Sequence, residues 1–335
     1  MRRAATIADV AARAGVGAST VSRVLNDGQV SGKARARVQA AMNELNYRPR
    51  ASARSLVTGS TATLSLVIPF FTHPSAVERV RGVIAAVDDT DYDLVICNVA
   101  SVAQRDEYLG RRAPLDRSDG MLIVSLAPRD DEVDAFVRAG APVVVLDAFH
   151  PRLPCLRIDD VAGGVLATRH LIELGHDRIA FVGDRPEPGL GFVSSDRRRD
   201  GYRHALQAAG LPVLPELQRV GPHGREVAHR LTRELLTLDE PPTAIVAASD
   251  TQALGVLEAV GVEGFAVPDD LSVIGFDDIE VAPYVGLTTV HQPLEESGRR
   301  AIERLVGLME DESSQPHEER LELTLKVRRT TARPA

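Results

Sequence analysis

Residues 6 to 26 constrain the fold most, because two short helical patterns meet there at Gly15 with room only for a tight helix pair. Ile7, Val10, Ala11 and Ala14 recur at helical spacing; Thr6 can cap the first turn, and Asp9 stands three residues on to answer it. Gly15 ends that helix. Beyond the turn, Val16, Thr20, Val21, Val24 and Leu25 make an apolar side, whereas Ala18, Ser19, Ser22, Arg23 and Asn26 are small or polar. A third helix is expected from about Lys33 to Leu45, with Val38, Met42 and Leu45 inward and Lys33, Arg35 and Arg37 outward. Three helices of this kind form a helix-turn-helix layout, whose thin second helix can enter a major groove.

Charge follows the same division. Residues 1–60 carry ten Arg or Lys against three acids, a local +7 in a chain of net charge −8, so the rest sums to −15. A basic module on an acidic body meets a polyanion through one end, with an affinity that falls steeply with salt. Lys33 and Lys326 are the only lysines, and the 37 Arg read as a genome-composition bias.

After Ser60 the pattern becomes short apolar strands alternating with amphipathic helices. Leu64–Ile68, Leu94–Cys97, Met121–Val124 and Val143–Leu146 form one set; Arg178–Val182, Ala244–Ala248 and Leu271–Phe276 form a second. This predicts an α/β body of parallel sheets covered on both faces, in two Rossmann-like lobes, with a last strand over Leu321–Val327. Ligands of such sheets bind at strand carboxyl ends, so the cleft between the lobes is the expected site. Asp147, Asp250 and Asp277 stand at strand ends, and Arg198 lies in the run Ser195–Tyr202. Carboxylates accept from neighbouring hydroxyls and an Arg fork donates to two more, the chemistry that reads a polyol. Asp250 also reads as a helix cap, and Arg197 and Arg199 as solvated. There is no Trp; the pair Phe70-Phe71 is the best candidate for a ring platform, ahead of Phe149, Phe192 and Tyr284. Adjacent side chains cannot both enter one sheet face. His73 and His150 stand where they could border the cleft, although a lone His is more often structural.

Other chemistry lacks its motif. The chain has no phosphate loop, no nucleophile elbow and no His or Cys cluster at metal spacing, so neither enzymatic activity, cofactor nor metal is expected. Cys97, in a strand, and Cys155, expected in a loop between the lobes, fit reduced buried thiols. With no leader pattern and no apolar run near 18 residues, the expected location is the cytoplasm, at the nucleoid.

The motifs Asp9-Val10-Ala11-x-x-Ala14-Gly15-Val16, Thr20-Val21-Ser22-Arg23-Val24-Leu25-Asn26, Val30-Ser31-x-Lys33, Leu45-Asn46-Tyr47-x-Pro49 and Ala53-Arg54-Ser55-Leu56 resemble the lactose-repressor/galactose-repressor (LacI/GalR) family of bacterial transcription regulators. The similarity runs on to the C-terminus. The resemblance implies a helix-turn-helix headpiece over 1–48, a hinge helix and linker over 49–60, and two lobes of periplasmic-binding-protein type. These are expected over 61–160 plus 291–320 and over 161–290 plus 321–335, with crossings near Asp160, His291 and Arg320. It places Thr6, Ala18, Ser19, Thr20, Ser22, Arg23, Asn26, Tyr47, Ala53 and Leu56 at DNA. Ala18 and Ser19 would set operator preference, and Arg23 would reach base edges, where its fork can bond guanine. Leu56 would wedge into a central minor-groove CpG step. Gly17 stands where the family usually has a capping Ser, a loss of about a few tenths of a kcal/mol.

For the effector, the resemblance aligns Arg198 and Asp277 with contacting residues, adds Asp147, Phe70 and Phe71, and puts Ser249 where sugar-binding members often have Asn. The implied protein is a repressor that binds a palindromic operator as a homodimer, with no leucine heptad to make a tetramer. Its effector is expected to be a sugar, with a nucleobase or other non-sugar corepressor as the alternative. A carrier or an enzyme on the same lobes would need features this sequence lacks.

Overall fold

The computed structural model describes residues 5–25, 28–47, 60–111, 113, 117–185, 189–311 and 317–335. The expected hinge, with Ala53 and Leu56, and also Asn26 lie outside the described residues. The chain divides into two compact units, residues 1–62 and 63–335.

The first unit is helical: α1 (Ile7–Ala14), α2 (Ala18–Leu25) and α3 (Gly32–Glu44). Thr6 and Asp9 form a reciprocal cap, Thr6 Oγ1 accepting from Asp9 N and Thr6 N donating to Asp9 Oδ2 at 2.8 Å. Gly15 closes α1 in the left-handed region at φ 60°, which favours glycine. Arg37 is exposed, as its outward place on α3 leads one to expect. Its guanidinium lies over the turn and donates to the carbonyls of Ala14 and Gly15, tying α3 to the α1–α2 corner and satisfying helix-end acceptors. Val10, Ala11, Ala14, Val21, Val24, Val38, Ala41 and Tyr47 form the core.

The second unit holds two six-stranded sheets. The first lobe runs β1 (Thr63–Pro69), α4 (Pro74–Asp88), β2 (Asp93–Val99), α5 (Val102–Asp106), β3 (Gly120–Val124), α6 (Asp130–Ala139), β4 (Val143–Leu146) and β5 (Cys155–Arg157). The second runs α7 (Asp160–Leu174), β6 (Ile179–Asp184), α8 (Ser194–Ala208), β7 (Gln218–Gly221), α9 (Arg225–Leu236), β8 (Ala244–Ala247), α10 (Asp250–Val262), β9 (Ser272–Asp277), α11 (Ala282–Val285) and β10 (Thr288–His291). The chain then returns to the first lobe as α12 (Leu294–Glu310) and β11 (Glu318–Arg320), and ends in the second with β12 (Thr324–Lys326). Strand orders are β11-β5-β4-β3-β1-β2 and β12-β10-β9-β8-β6-β7. All pairings are parallel except β10 with β12.

Alternation within the strands builds both faces of each sheet. Leu64, Leu66 and Ile68 with Leu122, Val124, Val144 and Leu146 face α4 and α12, whereas Val67, Met121, Ile123, Val143 and Val145 face the opposite cluster with Val133 and Phe136 of α6. The second sheet repeats this, with Ile179, Phe181, Val246 and Ile274 toward α7 and α8 and Ala180, Val182, Ile245 and Val273 toward α9 and α10.

Two local expectations are corrected. The last strand expected over Leu321–Val327 is shorter, β12 over Thr324–Lys326, because Leu321 packs into the second lobe's core instead of continuing a sheet. Cys155 lies in β5, buried at 1% exposure, not in a loop.

Candidate functional site

In the helical unit, α2 presents Ala18, Ser19 and Arg23 on its exposed face, with Thr20 and Ser22 partly exposed beside them. Gly17 holds the cap position, its carbonyl accepting from Thr20 N at 2.9 Å and Val21 N at 3.2 Å. Thr6 uses its side chain in the α1 cap, and the Tyr47 ring packs in the core. The most exposed face of α2 is therefore Ala18, Ser19 and Arg23.

In the body, the strand carboxyl ends meet across a cleft cavity of 740 Å³. The backbone turns sharply there. Phe70 after β1, Ser125 after β3, Asp147 after β4 and Asp277 at the end of β9 have φ of 43°, 53°, 59° and 114°. Such conformations cost non-glycine residues on the order of 1–3 kcal/mol each, so the surrounding fold must hold these side chains to the cavity.

A continuous line of polar contacts joins the lobes. Ser125 Oγ donates to Asp147 Oδ2 at 2.7 Å, and Arg79 Nη1 lies 3.2 Å from the same oxygen. Arg79 Nη2 donates to Gln292 Oε1 at 3.0 Å, and Gln292 Nε2 donates to Asp277 Oδ1 at 2.6 Å. Arg198 Nη1 lies 3.5 Å from that Asp277 oxygen and donates to Ala248 O at 2.7 Å, while its Nε donates to Asp160 Oδ1 at 2.8 Å. The Arg198 guanidinium also stacks on Phe276, 3.6 Å from the ring centroid. Burial opposes its charge, but Asp160, Asp277 and Asp147 outweigh burial and hold it charged. Burial pushes the Asp277 carboxyl up to about 6 against the pull of Arg198 and the Gln292 amide, and it raises Asp160 as well.

A second polar group forms around Asp184, which accepts from Gln252 Nε2 at 2.9 Å and lies 3.1 Å from His223 Nδ1. Across the cleft, the His73 and His223 rings stack at 5.0 Å, Phe70 stacks on His73 at 5.1 Å, and Phe192 approaches Phe70 at 6.1 Å. Burial lowers the His73 pKa with help from His223, whereas Asp184 raises that of His223 against burial. Leu190 reaches from the second lobe into the apolar cluster of the first, at 1% exposure.

Of the sequence candidates, Phe70, Asp147, Arg198, Ser249 and Asp277 line this cavity and Phe71 does not. The positive φ at Phe70 turns the chain, leaving Phe71 38% exposed with its N–H donating to Asn98 Oδ1 at 3.3 Å. Asp250 is not the cap of α10. Ser249 is, its Oγ accepting from Gln252 N at 3.3 Å, and Asp250 is buried beneath with Thr289 Oγ1 at 2.6 Å and Ile279 N at 3.0 Å. Phe149, Phe192 and Arg197 line the cavity, but Tyr284 is 78% exposed elsewhere and His150 is buried against Asp130. Arg79, Asp160, Asp184 and Gln292 were missed. Only Arg79 left a usable signal, at an inward position of α4 beside Val80 and Val83. Among the described residues no group of three or more His, Cys, Asp or Glu side chains could hold a metal ion, and no helix is long and apolar enough to cross a membrane.

A helix-turn-helix unit followed by a two-lobed α/β body with a buried polar cleft defines the class of ligand-responsive, DNA-binding transcriptional regulators. Residues 6–50 match the model of bacterial regulatory proteins of the lacI family, and residues 168–331 that of a periplasmic binding protein-like domain. The chain is 36% identical over 326 residues to the ribose operon repressor of Escherichia coli K12, covering 96% of this chain and 97% of that one. A solved complex of the transcriptional regulator CelR with cellobiose is 32% identical with a TM-score of 0.71, covering 97% and 99%. The lac repressor dimer bound to operator and the anti-inducer ONPF is 28% identical with a TM-score of 0.82, covering 98% and 100%. The chain belongs to the lacI family of bacterial regulatory proteins.

Proposed function

We propose that this regulator is a repressor whose operator affinity is set by a sugar bound between its two lobes, and that it carries out no catalysis. The observation that carries this reading is the buried line from Ser125 to Asp160, in which carboxylates, two guanidinium groups and an amide face one cavity. Such an array suits adjacent hydroxyls, which both donate and accept. The likeness to a regulator solved as a complex with cellobiose supports a sugar as effector. Arg198, Asp277, Asp147, Ser249 and Phe70 would contact it.

In the same reading the protein works in the cytoplasm as a homodimer on a palindromic operator. Residues 1–48 form the headpiece, 49–60 the hinge, and the lobes are 61–160 plus 291–320 and 161–290 plus 321–335. Ala18, Ser19, Thr20, Ser22, Arg23 and Asn26 would meet DNA in the major groove, with Thr6, Tyr47 and Ala53 in support and Leu56 in the minor groove. Effector binding would change the angle between the lobes, and with it the spacing of the two hinges.

A thermal-shift screen of the protein against pentoses, hexoses, disaccharides and nucleobases tests the effector class, since a ligand at 100 times its Kd stabilises by about 2.7 kcal/mol. A sugar should raise Tm, and Arg198→Ala should abolish that rise while leaving operator binding intact. A rise only with nucleobases would refute the sugar reading.

A further inference from the structure

We propose that the His73–His223 stack is an acid-released latch between the two lobes, which holds them together at neutral pH and lets them part when a proton reaches His73, whatever effector the cleft takes. The pair ends a run of four rings that crosses the cleft. His73 belongs to the first lobe, at the N-cap of α4, and His223 to the second, between β7 and α9; their ring centroids lie 5.0 Å apart with the planes 23° from parallel. Phe70 backs His73 from within its own lobe at 5.1 Å, and Phe192 of the second lobe approaches Phe70 at 6.1 Å.

The two histidines have opposite surroundings. His223 Nδ1 lies 3.1 Å from Asp184 Oδ1, and Gln252 Nε2 donates to that same oxygen at 2.9 Å. Burial opposes charge on His223, but Asp184, joined by Asp277, outweighs burial and Arg198 and raises its pKa. His73 makes no side-chain cap bond and stands at the positive end of the 15-residue helix α4, where a cation is unfavourable. Burial lowers the His73 pKa and His223 lowers it further, while Asp184 pulls the other way with less effect than His223. Arg185 and Arg197 line the same cleft and add positive charge to it.

What changes when the lobes part is the approach of His73 to the second lobe. Phe70 and the dipole of α4 stay with His73, and Asp184 stays with His223. The contact that separation relieves is therefore that of two imidazolium rings. In the closed cleft His73 holds its proton less readily than in an open one, where its pKa returns toward 6.5. Closure is then at full strength above that value and weakens as pH falls below it, by at most about tenfold per unit.

The test is a spin-label distance in the full-length protein without ligand. Labels at Asp131→Cys and Glu226→Cys sit on exposed first turns of α6 and α9, one in each lobe, and the native Cys97 and Cys155 are buried. Dilution into unlabelled protein keeps to one labelled chain per dimer. His73→Phe keeps a ring that cannot be protonated, and His73→Arg supplies a permanent cation. At pH 7.5 the wild type and His73→Phe should share one short distance and His73→Arg should show a longer one. At pH 5.5 the open fraction of the wild type should rise relative to the closed by up to about tenfold, and that of His73→Phe should not. Asp277, with a pKa of about 6, titrates in the same window in all three proteins, so the difference between the wild type and His73→Phe belongs to the latch. A wild-type distance that is constant with pH, an equal acid response in His73→Phe, or a wild-type distance in His73→Arg at pH 7.5 would each overturn the latch and leave the sugar reading standing.

Discussion

Asp277 holds its proton to about pH 6 because it is buried, and a polyol needs it ionised to accept hydrogen bonds. Effector affinity should therefore fall as pH is lowered from 7.5 to 5, approaching about tenfold per unit below the Asp277 pKa. An affinity constant over that range, measured by titration calorimetry, would remove Asp277 from the ligand contact. The ligand-free protein should respond in the opposite sense. The folded pKa lies above the unfolded value of 3.8, so this residue's contribution is fully present below about pH 4 and is lost as pH rises through 6. Asp277→Asn should flatten that slope and raise Tm at pH 7.5. Asp277 was legible in the sequence because it ends an apolar run, and Arg198 because the family resemblance aligned it with a contacting residue. Gln292 was not, since an amide in Thr288–Pro293 carries no periodic signal, and its role appears only when Arg79 and Asp277 converge on it.

The helix pairs that carry these side chains are set by glycine contacts. A methyl on Gly201 would lie 2.1 Å from Val161 O, and one on Gly164 would lie 2.1 Å from Arg198 O, so α7 and α8 touch backbone to backbone under Arg198. Gly298 repeats this for α4 and α12, 2.1 Å from Arg79 O. Each buried guanidinium thus rises from a helix held against its neighbour by a residue without a side chain. Gly201→Ala should cost roughly 1–3 kcal/mol by overpacking and weaken effector binding through Arg198. Gly307→Ala, at an exposed position of α12 with open space around its methyl, should be neutral or stabilising, by up to about 1 kcal/mol. Thermal unfolding of the two variants separates these outcomes. The longer apolar strands were readable because both faces are buried. β4 and β8, of four residues each, were readable because every residue in them is apolar, whereas β5, β7, β10 and β11 are as short and contain polar residues, so pairing partners far along the chain decide them.

For the whole molecule, the proposed coupling runs from the cleft to the hinge, and it is reciprocal: an effector that weakens operator binding must itself bind the operator complex less well by the same factor. Leu56→Ala should weaken operator binding by about tenfold or more while effector affinity of the free protein is unchanged. Equal operator affinity in a gel-shift titration would end the wedge role. The division into a basic reader and an acidic body was visible in charge alone. How the lobes close was not, because Leu190 belongs by sequence to one lobe and by packing to the other. The left-handed backbone at Phe70, Ser125, Asp147 and Asp277 carries a consequence for anyone evolving this protein. At those positions glycine relaxes the chain, so selection for heat resistance alone would favour replacing the very side chains that face the cleft. The survivors would be sturdy repressors deaf to their signal, and hardiness would have to be sought elsewhere in the molecule.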